Sequence, residues 1–340
     1  MSRTKLVTNG TSRIAGSAGH PAPEFAILGA GALGSIIGAH LARSGRSVLM
    51  LARGERAKRI EQQGLRIKGL VEFTQVVPVL TDAVVFGGAQ YLVVTTKTYG
   101  MDAALAPLRH AKIGAALSFQ NGLMKNEQLA AAFGADRVLG ALANTSGEVL
   151  PSGEVLFTRN EQLCIGDLQN GLSDRCRAIA DIIDASGVRA SAVEDIQSLE
   201  WAKFASWAAL MVLSITTRTE TWKYVCDPDA ALLMARLVRE VGTLATACGV
   251  ALSDQSMMPA ASLCRGTEAE AASAIQLLGE QLRLKAPGHR MSTLQDLLAG
   301  RPLEVEETLG YAARKAAQLQ LPLPLLDASY ALARAIDRIR

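Results

Sequence analysis

Aromatic residues are scarce in this sequence: seven Phe, five Tyr and three Trp among 340 positions. With Ala and Leu abundant, the parts of the chain outside any sheet are expected to be rich in helix. Cysteine is sparse too. Cys164, Cys176, Cys226, Cys248 and Cys264 are scattered, odd in number and never in a CxxC arrangement. That argues against a disulfide framework and for buried thiols in a reducing, cytoplasmic compartment. The four histidines, His20, His40, His110 and His289, have no metal-ligand spacing with each other or with cysteine, so no metal site is expected. Excess charge is also lacking. A net charge of +3 is too small to imply a nucleic-acid or membrane-surface partner. No apolar run approaches the roughly 18 residues of a membrane span.

The first residues lack acid: "MSRTKLVTNGTSRIAGSAGHPAP" carries Arg3, Lys5 and Arg13 but no carboxylate before Glu24. It has no apolar stretch of the secretory kind, and its glycines and prolines disfavour an amphipathic targeting helix. Residues 1–23 read as a disordered arm.

What is present is a globular composition, 49% apolar and 20% charged. The length suggests about two domains of roughly 150 residues, enough to bury substantial cores. "FAILGAGALGSIIGAHLARSGRSVLMLAR" reads as strand, Gly-rich turn, helix, turn, strand. "FAIL" and "SVLML" are continuous apolar runs, as in parallel strands buried on both faces. A polar helix, "GERAKRIEQQ", follows. "LRIKGLVEFTQVV" reads as two strands around a turn, and "AQYLVVTTK", "AALSFQNG", "VLGALANTSGEVLPSGEVLF" and "EQLCIGD" as further strands. The alternation predicts an α/β fold with a Rossmann-type, doubly wound sheet. Beyond about Val193 the strand-like runs stop. "IQSLEWAKFASWAALMVLSITT", "DAALLMARLVREVGTLATACG", "EAEAASAIQLLGEQLRL", "EVEETLGYAARKAAQLQL" and "LDASYALARAIDRI" are all helix-like. The expected organisation is a dinucleotide-binding domain over 24–193 and an all-α domain over 194–340.

Gly29, Gly31 and Gly34 form GxGxxG between a predicted strand and helix, with Ala30, Ala32 and Leu33 between them. The glycines serve a tight turn, close approach to a pyrophosphate and close helix–strand packing. The helix N-terminus favours the phosphates. An NAD site usually carries an acid about 20 residues further on. Here "SVLML" ends in Ala52 and Arg53, whose guanidinium suits a 2′-phosphate, so NADP(H) is the expected cofactor. Arg56 and Lys58 read as the exposed face of the next helix. Lys97 and Asn121 follow two strands at their C-terminal ends, where ligands sit in this architecture, although Asn-Gly is also ordinary turn chemistry.

The sequence resembles the ketopantoate reductase (2-dehydropantoate 2-reductase) family. The resemblance is carried by "GAGALG", "LAR" with Arg53, "VTTKTY" with Lys97, "SFQNGL", "LEWAKF" with Lys203, and "STLQDLLAGRPLEVE". It runs from about residue 25 to about residue 330. Its most specific part is Ser-x-Leu-Gln-Asp, a basic turn, then an acid, matched here by Ser292, Leu294, Gln295, Asp296 and Glu304. The resemblance implies a Rossmann domain joined to a helical domain like that of 6-phosphogluconate dehydrogenase, with the active site between them. It implies NADPH-dependent reduction of a small 2-oxo acid, ketopantoate to pantoate. The apolar C-terminal helices could bury a dimer interface, so a monomer or homodimer is expected. Lys203 would be the general acid, its pKa lowered by burial. Taken alone, Lys203 also fits a lysine whose stem covers apolar surface. Glu304 would orient lysine and substrate, Ser292 would contact the substrate carboxylate, and Lys97 and Asn121 would position nicotinamide ribose and substrate.

The pattern departs from the family along one helix face. Asparagines usual four and eight residues after the lysine are Trp207 and Met211 here, expected to face the substrate. The proline that commonly follows the second of them is Val212. Leu303 and Leu309 replace further polar residues, and "NTSGE" stands where "TTHGA" is frequent. Loss of amides weakens recognition of a hydroxylated substrate. The sequence therefore leaves open a ketopantoate reductase with an altered pocket, a paralogue acting on a bulkier or more apolar 2-oxo acid, and a non-catalytic NADP-binding module.

Overall fold

The computed structural model describes residues 22–256 and 258–340. The arm expected at the N-terminus lies, through residue 21, outside the described residues.

The strands are β1 (Phe25–Leu28), β2 (Val48–Leu51), β3 (Leu65–Gly69), β4 (Phe73–Gln75), β5 (Val79–Leu80), β6 (Gly88–Val94), β7 (Lys112–Ser118), β8 (Val138–Val149), β9 (Val155–Asp167) and β10 (Ala190–Ala192). They form one sheet in the order β4-β3-β9-β8-β7-β6-β1-β2-β5, with β10 beside β9. Around β1 the pairing is parallel, with Ile27 opposite Met50 on one side and Val93 on the other. β8 and β9 are antiparallel, so the sheet is mixed. The runs "EVLF" and "EQLCIGD" are not separate strands but one, because pairing with β8 continues through Asn160.

Helices cover both faces, as two-sided burial of β1 requires. Phe25 and Ile27 pack into one core with residues of α1 (Ala32–Arg43), α2 (Gly54–Gln63) and α5 (Asp174–Ala185). Ala26 and Leu28 pack into another with α3 (Met101–Leu105) and α4 (Met124–Phe133). This is the period-two alternation of a doubly wound sheet. The chain leaves β1 toward β2 on one side and later returns to its other side as β6. That reversal opens a crevice at the carboxyl ends of the strands.

The last strand ends at Ala192, and α6 (Ile196–Thr217) begins the helical part. The remaining helices are α7 (Thr221–Cys226), α8 (Pro228–Ala247), α9 (Ala260–Cys264), α10 (Glu268–Lys285), α11 (Ser292–Leu298), α12 (Leu309–Gln318) and α13 (Pro324–Ile339). α6 is apolar on every side, and it is accordingly buried on every side. The Asp195 carboxylate accepts from the Ser198 N–H at 3.0 Å to start it, and Arg218, at φ 54°, ends it. Ile196 and Leu199 pack on Leu142 and Cys164 of the sheet, while later turns enter the helical core. The helix expected from residue 304 begins only at Leu309. Glu304 therefore sits in non-helical chain before α12.

Candidate active site

The glycine-rich turn is forced by close contacts. Gly29 has φ 107°, and a side chain there would come within 2.8 Å of the Thr96 backbone nitrogen. At Gly34 a Cβ would lie 2.1 Å from the Gly29 carbonyl oxygen, so only glycine lets α1 approach β1. Gly31 differs, because nothing lies within 4 Å of where its Cβ would be. It faces a cleft of 580 Å³ lined by Gly29, Ala30, Gly31, Arg53, Arg56 and Thr96 among others. No side chain caps the N-terminus of α1 at Ala32 and Leu33. Open space, a free helix N-terminus and two guanidinium groups together fit the pyrophosphate and ribose of a dinucleotide.

The two arginines have different roles. Arg53 is exposed at the start of α2, at the cleft margin. Arg56 is not on the solvent face of α2, as its place in a polar helix suggested. Its Nε donates to the Ala30 carbonyl at 2.8 Å, one Nη to Ser35 Oγ at 2.9 Å and the other to the Gly153 carbonyl at 2.5 Å. It braces the glycine-rich turn against the β8–β9 hairpin. Lys58 is exposed and pairs with Glu55.

Gln120 knits neighbouring strand ends. Its Nε2 donates to the Thr96 carbonyl at 2.8 Å and to Thr96 Oγ1 at 3.0 Å, while its Oε1 accepts from Ser118 Oγ at 3.0 Å. Beside it, Asn121 lines a second, narrow cavity with Lys125, Glu200, Lys203, Phe204 and Trp207. That cavity measures only 10 Å³, room for about one water.

Lys203 projects from α6 toward β8, where its Nζ donates to the Ala143 carbonyl at 2.6 Å. Burial lowers its proton affinity most, and the nearby cations Lys125 and Arg159 add to the effect against the opposing Glu200. Together they bring its pKa down to about 7. Lys125 itself is 3% exposed. Its Nζ donates to the Ser118 carbonyl at 2.9 Å, to the Ala141 carbonyl, and to Glu200 Oε1 at 3.0 Å. Glu200 also accepts from the Ala141 N–H at 3.0 Å and from Asn126 Nδ2 at 2.7 Å.

A second charged group joins the sheet to the helical part. Lys97 Nζ lies 2.6 Å from Asp296 and 3.5 Å from Glu304. Glu304 also accepts from the Thr98 N–H at 3.0 Å, and Arg301 Nε donates to Asp296 at 2.8 Å. Burial pulls the Lys97 ammonium down, but the two carboxylates outweigh it and hold its pKa above the usual lysine value. The lysine that Glu304 engages here is thus Lys97, not Lys203. Ser292 is exposed in the first turn of α11, one turn before Asp296.

The sequence matches the family model described as Ketopantoate reductase PanE/ApbA over residues 25–170 and the corresponding C-terminal model over 195–337. The chain belongs to the ketopantoate reductase family. It is 28% identical over 289 residues to the 2-dehydropantoate 2-reductase of Archaeoglobus fulgidus, covering 85% of this chain and 89% of that one. The crystal structure of a PanE/ApbA family ketopantoate reductase from Ralstonia eutropha superposes with TM-score 0.77 at 25% identity, over 93% of this chain and 98% of that one. D-mandelate dehydrogenase, solved with NADH and anilino(oxo)acetate, shares the fold at TM-score 0.79 and 18% identity, over 93% of this chain and 98% of that one. The protein is accordingly an oxidoreductase of the ketopantoate reductase family, with that family's Rossmann-plus-helical architecture.

Against the family pattern, the replaced amides separate into two groups. Trp207 lines the cavity, stacked on Phe204 with ring centroids 6.4 Å apart. Its Nε1 is buried without a hydrogen-bond partner among the described residues. Met211 lines neither of the two cavities: it is 0% exposed within the helical core, as is Leu309, and Leu303 is 4% exposed there. The turn of α6 that carries Met211 is covered by other helices, so its position on the Lys203 face does not bring it to the site. Lys125, Glu200 and Arg56 were not read as site residues from the sequence. Glu200 had a signal, since it lies three residues before Lys203 on the same apolar helix. Lys125 and Arg56 sit in polar helical stretches, where nothing distinguishes a buried cation from a solvated one.

Proposed function

We propose that this reductase converts a 2-oxo acid to the 2-hydroxy acid with NADPH, with Lys203 as the general acid and 2-dehydropantoate as substrate. The observation that carries this reading is Lys203, its pKa brought down to about 7 by its surroundings, on the wall of the cavity where α6 meets the carboxyl ends of the strands. Residues 24–193 are taken as the part that binds the dinucleotide, and 194–340 as the part that supplies the acid.

Gly29, Ala30, Gly31, Ala32, Leu33 and Gly34 would hold the pyrophosphate, and Arg53 the 2′-phosphate. The bound nicotinamide supplies hydride to C2 of the oxo acid. Negative charge develops on the carbonyl oxygen, and Lys203 delivers a proton there and is left neutral. One ammonium proton is held by Ala143, which aims the other two. Asn121 and Ser292 are assigned to substrate, and Lys97 with Glu304 to holding the helical part against the sheet beside it.

A second reading is favoured by the stacked pair Trp207 and Phe204. An aromatic wall suits an apolar acyl group better than a hydroxylated one. The narrowness of the cavity speaks against added bulk. NADPH oxidation followed at 340 nm with 2-dehydropantoate and with a panel of branched and aromatic 2-oxo acids decides the matter. Reduction of 2-dehydropantoate is expected. Reduction confined to the other acids would replace the first reading with the second. Binding of NADPH without reduction of any acid would reduce the chain to a binding module.

A further inference from the structure

Lys125 and Glu200 make a buried ion pair that no step of the proposed reaction uses. Each group is saturated: the lysine spends its three protons on two carbonyls and the carboxylate, and the carboxylate accepts from the lysine, an amide N–H and an asparagine. Charged groups this deep are costly unless paired and bonded in this way. Lys125 comes from α4 and Glu200 from α6, and both bond β8 at Ala141, two residues from the carbonyl that holds Lys203. Glu200 and Lys203 are three residues apart on α6, hence on neighbouring positions of one face, and all three side chains line one cavity.

We propose that Lys125 is a positioning residue for Lys203: clamped by Glu200, it fixes α6 against β8 and keeps a second cation on the wall of the cavity that Lys203 enters. This rests on the reading of Lys203 as the acid. The pair acts by opposition. Lys125 pushes the proton off Lys203, and Glu200, while its charge is engaged by Lys125, draws the proton back only weakly. The other groups facing Lys203 are Arg159 and Cys164 of β9. Arg159 acts in the same direction as Lys125, and burial raises the Cys164 thiol above its ordinary pKa.

The test is the titration midpoint of Lys203, read by competitive acetylation with trace acetic anhydride and mass spectrometry from pH 5 to pH 11. It requires no turnover, so its outcome is separate from whether any oxo acid is reduced. Lys125→Met frees Glu200 to engage Lys203 and is expected to raise the midpoint by about one pH unit or more. Glu200→Gln leaves the cation unopposed and is expected to lower it. The double variant Lys125→Met/Glu200→Gln has no orphaned charge, is expected to fold even where a single variant does not, and should place the midpoint above the parent but below Lys125→Met. Equal midpoints, or single variants shifting in the same direction, would overturn the proposal. So would a double variant whose midpoint stays at or falls below the parent's. In the active protein, the alkaline limb of kcat/KM for reduction should follow the same order, whereas a purely structural pair would lower kcat or the melting temperature and leave that limb in place.

Discussion

Lys97 Nζ lies 2.6 Å from the Asp296 carboxylate, a bond that spans 199 residues of sequence and ties the end of β6 to α11. Glu304 shares the same lysine at 3.5 Å. Lys97→Ala removes the cation and leaves two carboxylates that are each 8% exposed. Because the lysine is itself two-fifths exposed, the expected loss is modest, about 1–2 kcal/mol. Urea unfolding at pH 8 measures it. Since the Lys97 pKa is raised in the folded protein, its contribution is full below the ordinary lysine pKa and fades as pH rises through the folded value. The parent and variant should therefore converge in stability in strongly alkaline buffer.

Lys203 has the opposite sign. Its pKa is about 7 folded against 10.5 as a free side chain, so between these values the unfolded chain binds the extra proton and stability rises with pH. Lys203→Met should abolish that part of the rise and stabilise the protein at pH 7 by about 1–3 kcal/mol. The same variant should lose turnover by about 10²–10⁴-fold with NADPH affinity little changed. A fluorescence titration with NADPH beside a steady-state assay separates the two effects; undiminished turnover would remove Lys203 from the chemistry.

With Lys203 as the proposed acid, kcat/KM for oxo-acid reduction should fall as pH rises through about 7. Oxidation of the hydroxy acid, which needs the neutral amine, should rise over the same interval. Two pH profiles in opposite directions with one shared midpoint are the expected outcome.

Arg53→Ala is expected to weaken NADPH by about tenfold or more and NADH far less, because only NADPH carries the phosphate that a guanidinium binds by paired charge-assisted bonds. Arg56→Ala should weaken both cofactors alike, since Arg56 bonds the Ala30 carbonyl and Ser35 rather than facing solvent. Dissociation constants for the four combinations distinguish a phosphate ligand from a brace of the turn; equal losses at Arg53 would sink its assignment.

Trp207→Asn restores an amide where the aromatic wall stands. It should raise kcat/KM for hydroxylated 2-oxo acids relative to apolar ones. The discrimination is worth about 1–3 kcal/mol if the site reads the acyl group there. A ratio that does not move would place the acyl group away from Trp207.

Chain order and side-chain periodicity determined a good deal by themselves. Apolar runs alternating with amphipathic stretches require a sheet covered on both faces, and GxGxxG between "FAIL" and "ALGSII" requires a tight turn in which the Gly29 carbonyl leaves no room for a Cβ at Gly34. These are local constraints, written within a few residues of where they act. Lys203 was legible for the same reason: a cation inside an apolar helix is out of place without any knowledge of its neighbours. The tertiary structure alone decided which neighbours it has. The packing of α6 on β8 brought Lys203 to the Ala143 carbonyl, and the packing of α4 and α6 on that strand buried Lys125 beside Glu200, residues 75 positions apart. Packing also withdrew Met211 into the helical core, gave Glu304 to Lys97, and turned Arg56 from solvent to the glycine-rich turn. Burial and charge pairing depend on contacts between distant segments, so periodicity could name the charged residues but could not assign their partners.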